Sequence, residues 1–370
     1  MTSKIIPLYK PIINREEKIN VNKCLNDNWI SSNGEFISKF EKKFSNYTKI
    51  KYCATTSNGT VALHLALRIL NIKKNDEVIV PAFTYIASVN CISYVGAKPV
   101  FCESDINTGQ IDVKDIQKRI TKKTKAIIVP HLYGNVGNIS ELIKIKKRFN
   151  LFIVEDCAEA IGSFYKKKHV GNFGDISTFS FFGSKTITTG EGGMICTNEI
   201  SYFLKAQKLK GQGLSKKNNK LYYWHDEIGY NYRMTNICAA LGLAQMKKLN
   251  DILKKKKILN KRYIEGLNKD KIKFLSTDKN SESSYWLNCI LLDNAKKRDK
   301  LMKYLKRFNI ETRNTFYLAS EMKMYKNKKL SFLKAKALSS KGLCLPSYPN
   351  ITHQDLKSVI RRINDFIKKN

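Results

Sequence analysis

Short apolar runs alternate with longer helical patterns between residues 52 and 154, and this alternation limits the possible folds more than any other feature. Strands are predicted at residues 52–56, 77–80, 98–102, 126–129 and 151–154, and helices at 58–70, 86–94, 112–120 and 139–149. Strands that alternate with helices form a mostly parallel sheet with helices on both faces. Ligands then bind beyond the carboxyl ends of the strands. We therefore predict an α/β fold whose functional residues directly follow its strands.

The pattern changes near residue 249. After a lysine-rich helix around residues 254–257 and a linker at 267–271, we predict strands at 286–292 and 310–313 and helices at 298–308 and 352–367. A chain of 370 residues is long enough for two domains. We predict a large domain over residues 1–248, which includes an N-terminal lead-in, and a smaller C-terminal α+β domain over residues 249–370.

Composition indicates a globular protein. Hydrophobic residues make up 42% of the chain, which is ample for a core. No apolar run approaches the roughly 20 residues of a membrane span, and the first residues show no secretory pattern. The nine cysteines include no Cys-x-x-Cys pair, and several lie in apolar runs. We expect reduced core cysteines in a cytoplasmic protein without a membrane segment, a metal site or a disulfide framework.

The formal net charge of +36 raises the hypothesis of nucleic-acid binding. The lysines are spread through every segment, however, and the only long cluster covers residues 254–257. No basic stripe interleaved with aromatic residues is visible. Solvated surface lysines are the favoured explanation, because lysine is mostly an exposed residue. A positive field would still attract anionic small molecules such as nucleotide-linked substrates.

One lysine stands in a different setting. Lys185 lies among small, hydroxyl and apolar residues in the segment 180–194, between a strand-like run and a turn rich in glycine. A lysine that loses solvation favours its neutral amine, which is a nucleophile for carbonyl groups and forms Schiff bases. A surface lysine in a loop is the alternative for this residue taken alone.

Residues that follow the other strands supply complementary groups. The run Ser57-Asn58-Gly59-Thr60 opens a buried helix, whose amino end binds phosphate well. Tyr85 can stack on a flat ligand, Asp156 can pair with a protonated pyridine nitrogen, and Ser180 can add a hydroxyl to the phosphate site. Each signal is weak alone. Together with Lys185 they form the set of groups that pyridoxal 5′-phosphate (PLP) requires.

With these residues the chain resembles the DegT/DnrJ/EryC1/StrS family of sugar aminotransferases, which have the type I, aspartate aminotransferase-like fold of PLP-dependent transferases. The resemblance extends over nearly the whole chain, from residues 29–34 to residues 345–349. Its most specific parts are residues 57–60, 155–162, the lysine segment and residues 229–234. The lysine segment and residues 224–236 are most similar to members that make GDP-perosamine.

The resemblance implies a role for each matching residue. Lys185 would form the Schiff base and move a proton between cofactor and substrate, and Asp156 would keep the pyridine nitrogen protonated. The other implied cofactor contacts are Ser57, Asn58, Gly59, Thr60, Tyr85, Glu159, Ser180 and Asn231. Glu159 stands where many relatives carry glutamine, near the phenolic oxygen. Asn231 would reach the cofactor of a neighbouring subunit, which implies a homodimer with shared sites.

The implied reaction moves an amino group from L-glutamate to C4 of a nucleotide-linked 4-keto-6-deoxyhexose, with GDP-perosamine as the best-supported product and polysaccharide (O-antigen) synthesis as its use. The expected sugar-nucleotide contacts come from loops 28–34, 211–223 and 313–317. The individual residues expected to bind the substrate are Trp29, Ser31, Tyr85, Arg233 and Tyr317. Three alternatives stay open. They are a UDP- or dTDP-linked substrate that gives a viosamine nucleotide, a regulator without catalysis, and a basic nucleic-acid-binding protein.

Overall fold

The computed structural model describes residues 5–215, 223–327 and 330–369. Its strands are β1 (Tyr52–Thr56), β2 (Glu77–Pro81), β3 (Lys98–Cys102), β4 (Thr124–Pro130), β5 (Phe152–Asp156), β6 (Phe164–Tyr165), β7 (Lys168–His169), β8 (Ile176–Ser180), β9 (Gly193–Thr197), β10 (Lys273–Phe274), β11 (Ser281–Glu282), β12 (Asn288–Leu291), β13 (Arg313–Asn314) and β14 (Gly342–Leu345). Its helices are α1 (Arg15–Asn26), α2 (Glu35–Thr48), α3 (Gly59–Ile69), α4 (Ala87–Tyr94), α5 (Val113–Arg119), α6 (Ile139–Phe149), α7 (Ile200–Lys210), α8 (Asn236–Lys247), α9 (Leu249–Gly266), α10 (Ala295–Lys306), α11 (Leu333–Lys341) and α12 (His353–Lys369).

The central sheet has seven strands in the order β1-β9-β8-β5-β4-β2-β3. The pairs from β8 to β3 are parallel, whereas β9 runs antiparallel to both of its neighbours. The prediction of a mostly parallel α/β sheet is therefore confirmed. Strand β9 reverses direction directly after the lysine segment, so the carboxyl ends of β1, β2, β4, β5 and β8 share one edge of the sheet.

Two apolar cores cover the two faces of this sheet. One contains the buried helix α3, with Leu63 and Leu67, and the other contains Phe40 and Phe44 of α2. The four-residue spacing of the phenylalanines in α2 places them on one face, where Phe44 meets Phe179 of β8 at 4.9 Å between ring centroids. Burial on both faces explains why the central strands are apolar runs without alternation.

A second sheet lies in the C-terminal part, with four antiparallel strands in the order β10-β12-β14-β13 and a separate core formed with α9, α10 and α12. The strand predicted at residues 310–313 was wrong. Ile310 instead forms an isolated bridge with Ile6, so that pairing begins only at Arg313. Trp286 belongs to the same core as Leu63, and the second sheet therefore packs on the first. The division at residue 248 stays a prediction.

All nine cysteines are free thiols, and all but Cys238 are buried, as predicted for core cysteines. Among the described helices, none has the length and the apolar character needed to cross a lipid bilayer.

Candidate active site

A cavity of about 510 Å³ opens beyond the carboxyl ends of the parallel strands. Eight of the sequence-predicted residues line it: Asn58, Gly59, Thr60, Tyr85, Asp156, Glu159, Ser180 and Lys185. These residues lie at the edge of the sheet where ligands bind in folds of this kind, and their roles stay a prediction.

Lys185 lies in the turn between β8 and β9, and only 14% of its side chain is exposed. Its Nζ is 3.4 Å from Glu159 Oε1 and 4.1 Å from the centroid of the Trp286 ring. The Tyr9 hydroxyl donates to the Lys185 carbonyl at 2.6 Å, and Trp286 Nε1 donates to the Ser184 carbonyl at 2.7 Å. Two aromatic side chains therefore hold the backbone of the lysine turn while the amine faces the cavity.

Asp156 ends β5 and is buried. The Ser88 hydroxyl donates to its Oδ2 at 2.7 Å, and the Ala158 N–H donates to its Oδ1 at 3.1 Å. Both donors are neutral, so they solvate the carboxylate without neutralising its charge. A buried carboxylate at a cavity wall is suited to a cationic ligand group such as a protonated ring nitrogen.

Glu159 is a second buried carboxyl group in the same wall. Its Oε2 accepts from the Tyr133 N–H at 2.8 Å, and its Oε1 faces Lys185. Burial raises the pKa of Glu159, and this effect outweighs the opposite effects of the Lys185 charge and of the Tyr133 N–H. Tyr133 has a φ of 59°, an uncommon backbone conformation for a residue other than glycine, and it aims its N–H at the carboxylate.

The amino end of α3, where the sequence predicts a phosphate site, lies at the cavity. Asn58 caps the helix by accepting from the Val61 N–H at 3.0 Å. A Cβ built on Gly59 would lie 2.9 Å from the Ser180 Cβ, so only glycine lets the helix start approach β8 this closely. Ser57, in contrast, is not a lining residue, and its N–H donates to the Tyr232 carbonyl at 2.9 Å.

Of the five predicted sugar-nucleotide residues, Tyr85 alone lines the Lys185 cavity of the single chain. Tyr85 lines the cavity at its mouth, is 55% exposed and packs its ring 5.7 Å from that of Phe316. Tyr317 is exposed outside the lining, where its hydroxyl accepts from Asn314.

The remaining predicted residues form a second group. Arg233 lines a separate cavity of about 230 Å³ together with residues of loop 28–34, and its Nε donates to Asn231 Oδ1 at 3.1 Å. Trp29 and Ser31 lie in the same loop, and their carbonyls accept from Asn236 at the start of α8. Residues 216–222 of the predicted loop 211–223 lie outside the described residues.

Several residues of the site were not predicted. Ser88 holds Asp156, Tyr9 and Trp286 hold the lysine turn, and Arg313 lines the cavity from the C-terminal part. Of these residues, only Arg313 was indicated by the sequence, because it is the first residue of the predicted substrate loop 313–317. The others reach the site from distant segments whose local sequence shows no pattern of a site.

A buried pair, His131 and Glu155, lies at the cavity wall, and His131 is one of the lining residues. His131 Nε2 is 3.0 Å from Glu155 Oε2, and three backbone N–H groups also donate to this carboxylate. Burial tends to raise the pKa of Glu155, but these donors outweigh it and lower the pKa. Cys157 lies close to both groups, and burial raises the pKa of its thiol. The Glu155 carboxylate already has four hydrogen-bond partners. We therefore assign the pair a structural role in the cavity wall.

The fold and the site together define a class. A mostly parallel α/β sheet, a lysine in the turn after β8 and an aspartate at the end of β5 are the elements of a PLP-dependent transferase of type I. Residues 11–364 match the model of the DegT/DnrJ/EryC1/StrS aminotransferase family, and the chain belongs to that family.

Curated relatives match over nearly the whole chain. The GDP-perosamine synthase of Escherichia coli O157:H7 is 48% identical, with 98% of this chain and 99% of the relative covered. The GDP-perosamine synthase of Vibrio cholerae is 42% identical over the same shares.

Solved structures agree with this assignment. The PLP form of Spr1654 from Streptococcus pneumoniae superposes with a TM-score of 0.92 at 28% identity, and 99% of each chain is covered. An aminotransferase from Psychrobacter cryohalolentis has the same TM-score and identity, with 97% of this chain and 98% of that chain covered.

Proposed function

We propose that this protein is a PLP-dependent aminotransferase that moves the amino group of L-glutamate to C4 of GDP-4-keto-6-deoxy-D-mannose and so makes GDP-perosamine. The observation that carries the proposal is the shared cavity of Lys185, Asp156 and the amino end of α3. The identity of 48% to a GDP-perosamine synthase along the full chain supports the choice of substrate.

The residues in the wall fit the cofactor. When bound, PLP would supply an aldehyde that accepts and returns the amino group and a ring that withdraws electrons. The helix start with Gly59 and Thr60, together with Ser180, would hold the phosphate. Asp156 would keep a proton on the ring nitrogen, and Tyr85 would stack at the mouth of the cavity. These assignments rest on the type and the placement of each side chain.

Lys185 would bind the cofactor through its Nζ and would then take and return the proton that moves during amino transfer. Its position supports this role, because the amine faces the cavity while the backbone on either side is held by Tyr9 and Trp286. Glu159, 3.4 Å from this amine, can accept its hydrogen bond and offset its charge.

The substrate is a nucleoside diphosphate sugar, and the charge of the chain favours such an anion. A net charge of +36 creates a positive field that raises the local concentration of a diphosphate. Arg313 brings one positive charge into the cavity wall. The reduced cysteines support the cytoplasmic location that we propose for this reaction.

We further propose a homodimer with shared sites. Asn231, Arg233, Trp29 and Ser31 lie together but outside the Lys185 cavity, and they would complete the site of a partner subunit. Ile228, in the segment that precedes Asn231, is 81% exposed in the single chain. An apolar side chain this exposed supports a subunit interface at this surface.

The substrate test uses purified protein, PLP and glutamate with a panel of GDP-, UDP- and dTDP-linked 4-keto-6-deoxy sugars, and identifies the product by mass. Amination of the GDP sugar is expected. Preference for a dTDP or UDP sugar would replace the substrate but keep the reaction. Lys185→Ala should abolish turnover and the visible absorbance of the bound cofactor, whereas Lys122→Ala, an exposed lysine, should change neither. Turnover by Lys185→Ala would refute the catalytic assignment.

A complementation test addresses the shared site. Lys185→Ala and Asn231→Ala subunits are inactivated separately, mixed, and allowed to exchange. If Asn231 serves the partner's site, each heterodimer contains one intact site, and random exchange restores about a quarter of wild-type activity. If Asn231 acts within its own chain, every site stays defective and no activity returns.

A further inference from the structure

The lysine run at residues 254–257 contains one member that differs from the other three. Lys254, Lys255 and Lys257 are exposed on α9, whereas Lys256 is completely buried. Lysine is rarely buried without partners, because removing an ammonium group from water is costly. The burial of Lys256 therefore needs an explanation, whereas the exposure of its three neighbours does not.

The Lys256 amine is fully occupied by three separate stretches of the chain. Its Nζ donates to the carbonyls of Trp286 and Ser347, each at 3.0 Å, and lies 4.9 Å from the centroid of the Tyr9 ring. An ammonium group has three donors, and these partners account for all of them. Burial lowers the pKa of Lys256 to about 7. The neutral amine still has two N–H donors, which is enough for both carbonyls.

Two of these partners also hold the lysine turn of the active site. Tyr9 places its ring against Lys256 and its hydroxyl on the Lys185 carbonyl. Trp286 gives its carbonyl to Lys256, its Nε1–H to the Ser184 carbonyl and its ring to the Lys185 amine. The two lysines therefore share both aromatic neighbours.

We propose that Lys256 is a positioning residue for Lys185, one that fixes Tyr9 and Trp286 against the segment at Ser347 and through them sets the place of the Lys185 amine. This inference rests on the proposed function of Lys185. Without the Lys256 amine, two buried carbonyls lose their donor and both aromatic side chains lose an anchor. A displacement of about 1 Å at a reacting group costs up to about 100-fold in rate.

The test compares Lys256→Met with Lys257→Met in the cofactor-loaded protein. Methionine keeps most of the length of the lysine stem but removes the amine, and Lys257 is an exposed neighbour on the same helix. The visible absorbance of the bound cofactor is titrated with pH, and kcat and KM for glutamate are measured. For Lys256→Met we expect the midpoint of this absorbance titration to move by at least about half a pH unit. We also expect kcat to fall about 10- to 100-fold, with KM changed less than about threefold. Lys257→Met should match the wild type.

A Lys256→Met protein with the wild-type midpoint and kcat, changed only in its melting temperature, would overturn the inference and leave Lys256 a purely structural residue. If this variant does not fold, Tyr9→Phe replaces it, because it removes the hydroxyl on Lys185 but keeps the ring against Lys256. The midpoint should again move, and an unchanged midpoint would overturn the inference. These failures differ from failure of the proposed function, in which the wild type itself shows no visible absorbance or Lys185→Ala keeps it.

Discussion

Replacing Glu159 with glutamine should change how the stability of the cofactor-free protein depends on pH. Burial raises the pKa of Glu159 above its ordinary value of 4.5. Below pH 4.5 the group is protonated in both the folded and the unfolded chain. As the pH rises above 4.5, the unfolded chain releases its proton first, which favours unfolding. The wild type therefore loses stability until the pH reaches the raised pKa of the folded state.

The structure also sets the expected magnitude. Glutamine keeps an oxygen that can accept from the Tyr133 N–H, so the two proteins should differ by less than about 1 kcal/mol near pH 4. Above pH 4.5 Glu159→Gln should gain about 1.4 kcal/mol relative to the wild type for each pH unit up to the raised pKa. The contact with Lys185 opposes this gain, but the raised pKa is the net direction with that contact included.

Urea unfolding between about pH 4 and about pH 8 measures this difference. Glu155→Gln is a matched control of opposite sign, because its carboxyl group is also buried in the same segment but its pKa is lowered. Glu155 stabilises the fold above pH 4.5, and this contribution disappears as the pH falls through its lowered pKa. Glu155→Gln should therefore be most destabilised at the higher pH values. A free-energy difference for Glu159→Gln that stays constant across the range would refute the reasoning.

Three further substitutions test the site and the core. Ser88→Ala removes a hydrogen-bond donor from the buried Asp156, so it should lower the free energy of unfolding by about 1.5–3 kcal/mol and weaken PLP binding. Urea unfolding and cofactor titration measure these effects, and Ser93→Ala, at an exposed position of the same helix, is the control. Gly59→Ala places a Cβ 2.9 Å from that of Ser180, so it should lower the free energy of unfolding by about 1–3 kcal/mol and reduce PLP affinity. The Cβ of Gly183→Ala would meet no atom within 4 Å, and this variant should be neutral in both assays. Phe40→Ala empties a fully buried position beside Phe181 and should cost about 3–5 kcal/mol in urea unfolding, whereas Leu204→Ala, 60% exposed, should cost little. Equal effects in any of these pairs would contradict the packing described.

The residues that line the cavity could be predicted because parallel strands bring their carboxyl ends to one edge. Asp156 and Ser180 each end a strand, and Gly59 opens the helix after another, so the topology alone brings them together. The apolar runs were readable because burial on both faces leaves few polar positions in the central strands.

The supports of the site could not be predicted in the same way. Ser88 meets Asp156 across 68 residues, Trp286 meets Ser184 across 102, and Tyr9 meets Lys185 across 176. The Trp286 and Tyr9 contacts depend on how the C-terminal part and the N-terminal segment pack on the sheet, and the Ser88 contact depends on how α4 lies against β5. No local periodicity encodes this packing. The predicted strand at residues 310–313 failed for a similar reason, since Ile310 pairs with Ile6 from the other end of the chain.

The two side chains that hold the lysine turn, Tyr9 and Trp286, come from the N-terminal segment and from the C-terminal part of the chain. The lining residues between Asn58 and Lys185 are all translated before Trp286. A nascent chain at that stage contains Tyr9 but lacks Trp286, Arg313 and Phe316, which also line the cavity. We therefore expect chains that end before residue 286 to retain PLP poorly, because the lysine turn then lacks its support from Trp286.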